Sequence, residues 1–255
     1  MQVRLEEFDD PLGVARVEAG DECRIRLVGR LLVGKPGTRD RLPPCAAGTA
    51  AHITQIKAIV LNCTLKPSPA SSSAELLGSQ VLEALKEHQV TGELVRIVDH
   101  DIRFGVSTDE GDGDEWPQLR ERILAAQILV VVTPIWMGQP SAVCKLVLER
   151  LNAEISETDD QGRLSTYGKV AGIGVVGNED GAHHVTAELA QALTDVGFTL
   201  PANAVTYWVG EAMQTIDYQD LPSTPEKTDL TTRTLATNLD HLARLLDDAA
   251  YPATA

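Results

Sequence analysis

Residues Ala58–Leu77 read AIVLNCTLKPSPASSSAELL. A run of aliphatics stops at Asn62, gives way to a lysine and five hydroxyl side chains, and turns apolar again. The flanks decide how the stretch is read. Ala58–Leu61 is short and apolar throughout, as a strand buried on both faces must be. Beyond the loop, Leu77, Val81 and Leu85 stand four residues apart between about Ser73 and His88, a helical stripe. The unit is strand, loop, helix.

The rest of the chain repeats that unit. Leu94–Val98 is a second strand-like run, and Trp116, Leu119 and Ile123 restore helical spacing after an acidic loop. Ile128–Val132 is a third strand, interrupted from Pro134 to Pro140. Val143, Leu146, Val147 and Leu151 then form a helix that Ser141 can cap. Lys169–Val176 is a fourth strand, followed by a helix through Val185, Leu189, Leu193 and Val196 that stops at Gly197. Ala204–Val209 is a fifth, and Leu235, Leu239, Leu242 and Leu246 mark a last amphipathic helix. Apolar strands alternating with amphipathic helices imply a doubly wound five-stranded parallel sheet with helices on both faces, over residues 56–250. Residues 251–255 are expected to fray.

The 255 residues divide by charge as well. Residues 1–55 hold eight basic and eight acidic side chains, so the whole net charge of −15 is carried after residue 55. This leader mixes some strand character (Cys23–Gly34) with turn composition (Gly34–His52), and is expected to be a disordered or loosely attached extension. An acidic chain is a poor partner for nucleic acid. No apolar run approaches the length of a membrane span, and the first ten residues lack a secretory h-region. Four widely spaced cysteines form no CxxC pair, which points to a reducing, cytoplasmic setting.

In open parallel sheets ligands sit beyond the carboxyl ends of the strands, where strand order reverses. Three loops there have unusual content. The first ends at a helix N-terminus, whose amides and dipole favour an anion. Thr64, Ser68, Ser71, Ser72 and Ser73 could add hydroxyl donors and Lys66 a cation, which suits a phosphate monoester held without a metal; the bland alternative is a solvated loop with one capping serine. The second, Thr133–Lys145, carries Trp136 beside Met137, Gly138 and Gln139, as a flat aromatic ligand would require, although a core or interface tryptophan is the alternative. The third, Gly177–Ala182, packs Asn178, Glu179 and Asp180 between glycines, with Asp180 a candidate helix cap. His183 and His184 are adjacent on a helix and point about 100° apart, so they do not share a metal.

Other motifs are rejected. Gly172–Gly177 matches G-x-G-x-x-G, but inside a strand rather than in the turn after one. Asp109–Glu115 fails the order of a calcium loop and reads as solvated. With no G-x-S-x-G and no HExxH, reactivity borrowed from a cofactor is the remaining expectation.

Taken together the three loops resemble those of the flavodoxin-like NAD(P)H-dependent FMN reductases. Cys63, Thr64 and Lys66 stand where that family has Gly, Ser and Arg, and Ser71, Ser72 and Ser73 match its Ser-Asn-Thr end. Thr133, Pro134, Trp136 and Gly138 resemble its Thr-Pro-x-Tyr segment and following Gly. Lys66 in place of arginine, and a phosphate loop about two residues longer than usual, are departures. The resemblance implies FMN as cofactor and NAD(P)H as co-substrate, with hydride passing to the flavin and on to a flavin, quinone or nitro-aromatic acceptor. It implies that Thr64, Lys66, Ser71, Ser72 and Ser73 hold phosphate. Thr133, Pro134, Ile135, Trp136, Met137, Gly138 and Gln139 would border the ring, with Gly177, Asn178, Glu179, Asp180 and Gly181 at its far rim. It also implies a homodimer or homotetramer. The alternatives are an electron carrier of the flavodoxin kind and a domain that has lost FMN and serves interaction.

Overall fold

The computed structural model describes residues 55–211 and 216–253; apart from Gln55, the expected extension over 1–55 lies outside the described residues. The elements are β1 (Lys57–Asn62), α1 (Ser73–Glu87), β2 (Thr91–Arg96), α2 (Trp116–Ala125), β3 (Ile128–Trp136), β4 (Gln139–Pro140), α3 (Ala142–Leu151), β5 (Val170–Gly177), α4 (Ala182–Asp195), β6 (Val205–Val209) and α5 (Glu226–Asp248). Five strands pair in parallel in the order β2-β1-β3-β5-β6, and β4 turns back antiparallel on the end of β3. This is the flavodoxin-like doubly wound arrangement, whose strand order reverses between β1 and β3.

The apolar strands fill two cores. Ile59, Leu61, Leu129, Val131, Ile173 and Val175 pack with α2, α3 and α4 on one face. Ala58, Val60, Val130 and Val132 pack with Leu77, Val81 and Leu85 of α1 and Leu235 and Leu239 of α5 on the other. The glycines of the rejected fingerprint serve this packing. A Cβ on Gly172 would lie 3.0 Å from Leu239, and one on Gly174 would lie 3.0 Å from Val132.

Several boundaries differ from the sequence reading, each for a physical reason. β2 begins three residues early because it is an edge strand, and Thr91–Glu93 are exposed and polar; its expected last residues, Ile97 and Val98, turn into a short 3-10 helix. β3 runs through Pro134 to Trp136. Pairing with β1 ends at Asn62↔Val132, so beyond that point one side of β3 has no β1 partner to miss the amide that proline lacks. The acidic run Asp109–Glu115 is not simply solvated: Asp114 is buried and ion-paired with buried Arg150 at 2.8 Å. At the start of the tail, the Tyr251 hydroxyl meets Thr199 Oγ1 at 2.8 Å and its ring lies 5.4 Å from that of Tyr167.

Candidate functional site

The carboxyl ends of β1, β3 and β5 bring the three loops together. Cys63 N donates to Val132 O at 2.8 Å, and Ser141 Oγ donates to Cys63 O at 2.6 Å, tying the first loop to the second. Met137 N donates to Glu179 Oε1 at 2.8 Å, tying the second to the third. Met137 and Gly138 adopt left-handed backbone (φ 54° and 74°), and Gly181 (φ 130°) comes so close that a Cβ there would lie 2.8 Å from Gly138 Cα. Gln139 Nε2 meets His184 Nε2 at 2.9 Å on the same side. His183 instead meets the Tyr207 hydroxyl at 3.3 Å, and His184 pairs with Glu188 at 2.8 Å, so the two histidines face different partners.

The first loop is built as a set of donors. Ser72 is the N-cap of α1, its Oγ accepting from Glu75 N at 3.2 Å. The amides of Ser73 and Ala74 sit in the first helical turn, where no intrahelical acceptor exists. Thr64 is buried, and Asn62 holds it by accepting from Thr64 N at 3.1 Å. The Asn62 Nδ2 is buried without an acceptor in the protein. Lys66 and Ser71 are exposed at the rim. Ser73 Oγ accepts from Gln219 N at 3.3 Å, which leaves its proton free to be donated. Ser68 turns the other way, its hydroxyl donating to Asp99 Oδ2 at 2.5 Å and its amide to Oδ1 at 2.8 Å. It anchors the loop rather than joining the donor set. Those two Ser68 bonds hold the Asp99 carboxyl below its ordinary range.

The second loop divides in two. Thr133 and Ile135 are buried: the Thr133 hydroxyl accepts from Ser141 N at 3.1 Å, and Ile135 belongs to the core beneath Gly177. Pro134 is half-buried. Trp136 and Met137 are 54% and 90% exposed, with Gln139 also exposed, so a large apolar surface stands open beside the donor set. In the third loop, Asn178 Nδ2 donates to Asp217 Oδ1 at 3.0 Å. Asp180 does not cap α4. Its Oδ1 accepts from Gly181 N at 2.8 Å, and Gly181 itself is the N-cap residue.

Sequence reading missed the residues that come from other elements. Arg96, 6% exposed at the end of β2, donates through Nη1 to Lys66 O at 3.1 Å and to Ala70 O at 2.8 Å, and pairs through Nη2 with Glu75. A charge in the middle of the apolar run Leu94–Val98 was the available signal. Asp99 and Gln219 gave none. Beneath the loops, Cys63 and Cys144 are buried free thiols. A hydrogen bond with Cys144, together with burial, pushes the Cys63 thiol up, which makes it a poor nucleophile. Two cavities of about 280 and 300 Å³ include no residue of the three loops. Among the described residues, no group of three His, Cys, Asp or Glu could hold a metal ion.

The arrangement therefore brings the amide and hydroxyl donors of the first loop and the exposed Trp136 of the second to the same end of the sheet. The family described as NADPH-dependent FMN reductase matches residues 56–214. The 8-demethyl-8-aminoriboflavin-5'-phosphate synthase of Streptomyces davaonensis is 34% identical over 206 residues, 77% of this chain and 80% of that protein. A protein of Mycobacterium bovis named divalent metal cation transporter MntH is 38% identical over 198 residues, 75% of this chain. The chain spans only 29% of that transporter's length. Among solved structures, RosB with bound 8-demethyl-8-formylriboflavin-5'-phosphate aligns with a TM-score of 0.70 at 34% identity, covering 77% of this chain and 82% of RosB. A flavone reductase aligns at 0.56 and 13% identity, over 77% of this chain and 66% of its own, a likeness of fold.

Proposed function

Because the chain belongs to the NADPH-dependent FMN reductase family, we propose that it takes a hydride from NAD(P)H onto FMN held by these loops and passes the electrons to a small-molecule acceptor such as a flavin or quinone. FMN is the cofactor, and flavin-dependent oxidoreduction is the general activity. The observation that carries the finer reading is the donor set at the N-terminus of α1, placed where strand order reverses and flanked by exposed Trp136.

The residues fit FMN. The Ser73 and Ala74 amides, with the Thr64, Ser71, Ser72 and Ser73 hydroxyls, would hold its phosphate, and the exposed Lys66 would add a cation at the rim. Met137, Gly138 and Gln139 border the ring, and Trp136 offers it an apolar face. The contacts from Met137 to Glu179 and from Gln139 to His184 tie that segment to the third loop and to α4. Bound FMN supplies two-electron chemistry; the chain supplies orientation and a shaped, largely apolar wall.

The test is an absorbance spectrum of the purified full chain, before and after anaerobic NADPH and then NADH. Flavin bands that bleach within seconds are expected. Bands that persist would reject NAD(P)H turnover and favour an electron carrier. The synthase relative and the flavin-phosphate intermediate bound by RosB favour a second reading, in which the same cradle takes a flavin phosphate as substrate and alters its ring. Mass spectrometry of the flavin after turnover separates the two, since a cofactor returns with its mass unchanged. We also propose a homodimer or homotetramer and a cytoplasmic setting. Light scattering tests the first, and no described helix is long and apolar enough to cross a membrane.

A further inference from the structure

The first turn of α1 contains a contradiction. It is the turn that would receive a phosphate dianion, yet its third residue is Glu75, an acid at the same helix end. Two anions competing for one helix N-terminus repel each other. Arg96 resolves this. It closes β2 opposite Asn62, the last residue of β1, and its buried guanidinium pairs with the Glu75 carboxylate. Its other terminal nitrogen holds the Lys66 and Ala70 carbonyls.

Those two carbonyls matter because a carbonyl oxygen turned toward a phosphate would also repel it. In a trans peptide the C=O and N–H point in opposite directions. With the Ala70 oxygen drawn onto Arg96, the Ser71 N–H faces away from the guanidinium and becomes a further donor on the cradle side. An arginine does this better than a lysine, because it remains charged and its planar fork serves three acceptors at once.

We propose that Arg96 is a positioning residue for the cofactor phosphate: it neutralises Glu75 and turns the Lys66 and Ala70 carbonyls inward, so that a helix end bearing an acid still accepts a dianion. The proposal rests on the phosphate-cradle reading above. It requires Arg96 to affect recognition of the phosphate and not of the flavin ring, which distinguishes it from a residue that merely supports the fold.

The experiment titrates the full chain, stripped of flavin, with FMN and with riboflavin, the same ring without phosphate, following flavin fluorescence. Wild-type protein is expected to bind FMN at least about 30-fold more tightly than riboflavin. Wild-type protein that does not discriminate would overturn the cradle reading itself, before any variant is measured. Arg96→Met should weaken FMN about 10- to 100-fold and riboflavin less than about threefold. Adding Glu75→Gln to that variant should recover about tenfold for FMN alone, since the uncompensated acid is gone. Equal losses for both ligands, an unchanged FMN affinity, or no recovery in the double variant would overturn the role of Arg96. Should Arg96→Met not fold, Arg96→Lys keeps the charge and loses the fork, and its FMN-to-riboflavin preference should fall about tenfold. An unchanged preference there would overturn the proposal equally.

Discussion

Ser72 meets two demands with one hydroxyl. Accepting from Glu75 N caps α1, and the same oxygen still has a proton to donate outward. Ser73 Oγ likewise accepts from Gln219 N and keeps its proton to donate. Replacing both by alanine should weaken FMN binding by about 1–3 kcal/mol, with a cost of about 1 kcal/mol in stability from the lost cap. Titration with FMN and a thermal melt read the two effects separately, and unchanged FMN affinity would remove these serines from the phosphate site. Gly181 brings the second and third loops together. Its φ of 130° and its closeness to Gly138 leave no room for a Cβ, so Gly181→Ala must strain the backbone or part the second and third loops. We expect a stability loss of about 1–3 kcal/mol. FMN and riboflavin should weaken together if, as proposed, these loops border the ring and not the phosphate.

The elements were legible wherever burial imposes a period. β1, β3 and β5 are continuous apolar runs because both faces are covered, and α1 and α5 show the stripe that covers them. β2 was shifted because an edge strand has one exposed flank to fill with polar residues. The loop between β2 and α2 was misread for a different reason: its organising contact spans 36 positions, from Asp114 to Arg150, and pairing at that distance leaves no local pattern. Arg150 also donates to Arg103 O and Ser107 O and lies 5.3 Å from the Trp116 ring, so one side chain fastens the loop to α3. Burial works against the Asp114 charge, but the Arg150 guanidinium and the amides of Glu110, Arg103 and Trp116 prevail and hold the carboxyl well below its ordinary range. A depressed carboxyl contributes stability above its unfolded pKa of about 3.9 and loses it as pH falls toward the folded value. Arg150→Met should therefore cost about 3–5 kcal/mol at neutral pH by stranding a buried carboxylate, and adding Asp114→Asn should restore much of it. Asp114→Asn alone should flatten the acid limb of the stability curve below about pH 4. Denaturant melts across pH measure all three variants; an acid limb unchanged by Asp114→Asn would show that the pair does not govern it.

At the scale of the molecule, the sequence disclosed the hydroxyls of the first loop because they are local to one segment, and withheld the Arg96, Asp99 and Gln219 contacts to that loop because those residues arrive from β2, the segment after it and the approach to α5. Charge is the property that belongs to no single loop. The net −15, carried wholly after residue 55, belongs to the part of the chain whose proposed co-substrate is itself an anion. Repulsion between like charges is felt over about 30 Å at 0.01 M salt and about 10 Å at 0.1 M. The bimolecular rate of flavin reduction by NADPH should then rise severalfold, roughly, as salt increases across that range, opposite to the usual steering of substrates. NADH, which lacks the extra phosphate, should show a smaller rise. Anaerobic stopped-flow at fixed pH measures both slopes. A rate that falls with salt would mean that local positive potential at the site outweighs the acidic surface and draws the nucleotide in. A basic redox protein tested as acceptor should show the reverse dependence, faster at low salt, and a strong effect of that kind would favour the electron-carrier reading over the turnover of small acceptors.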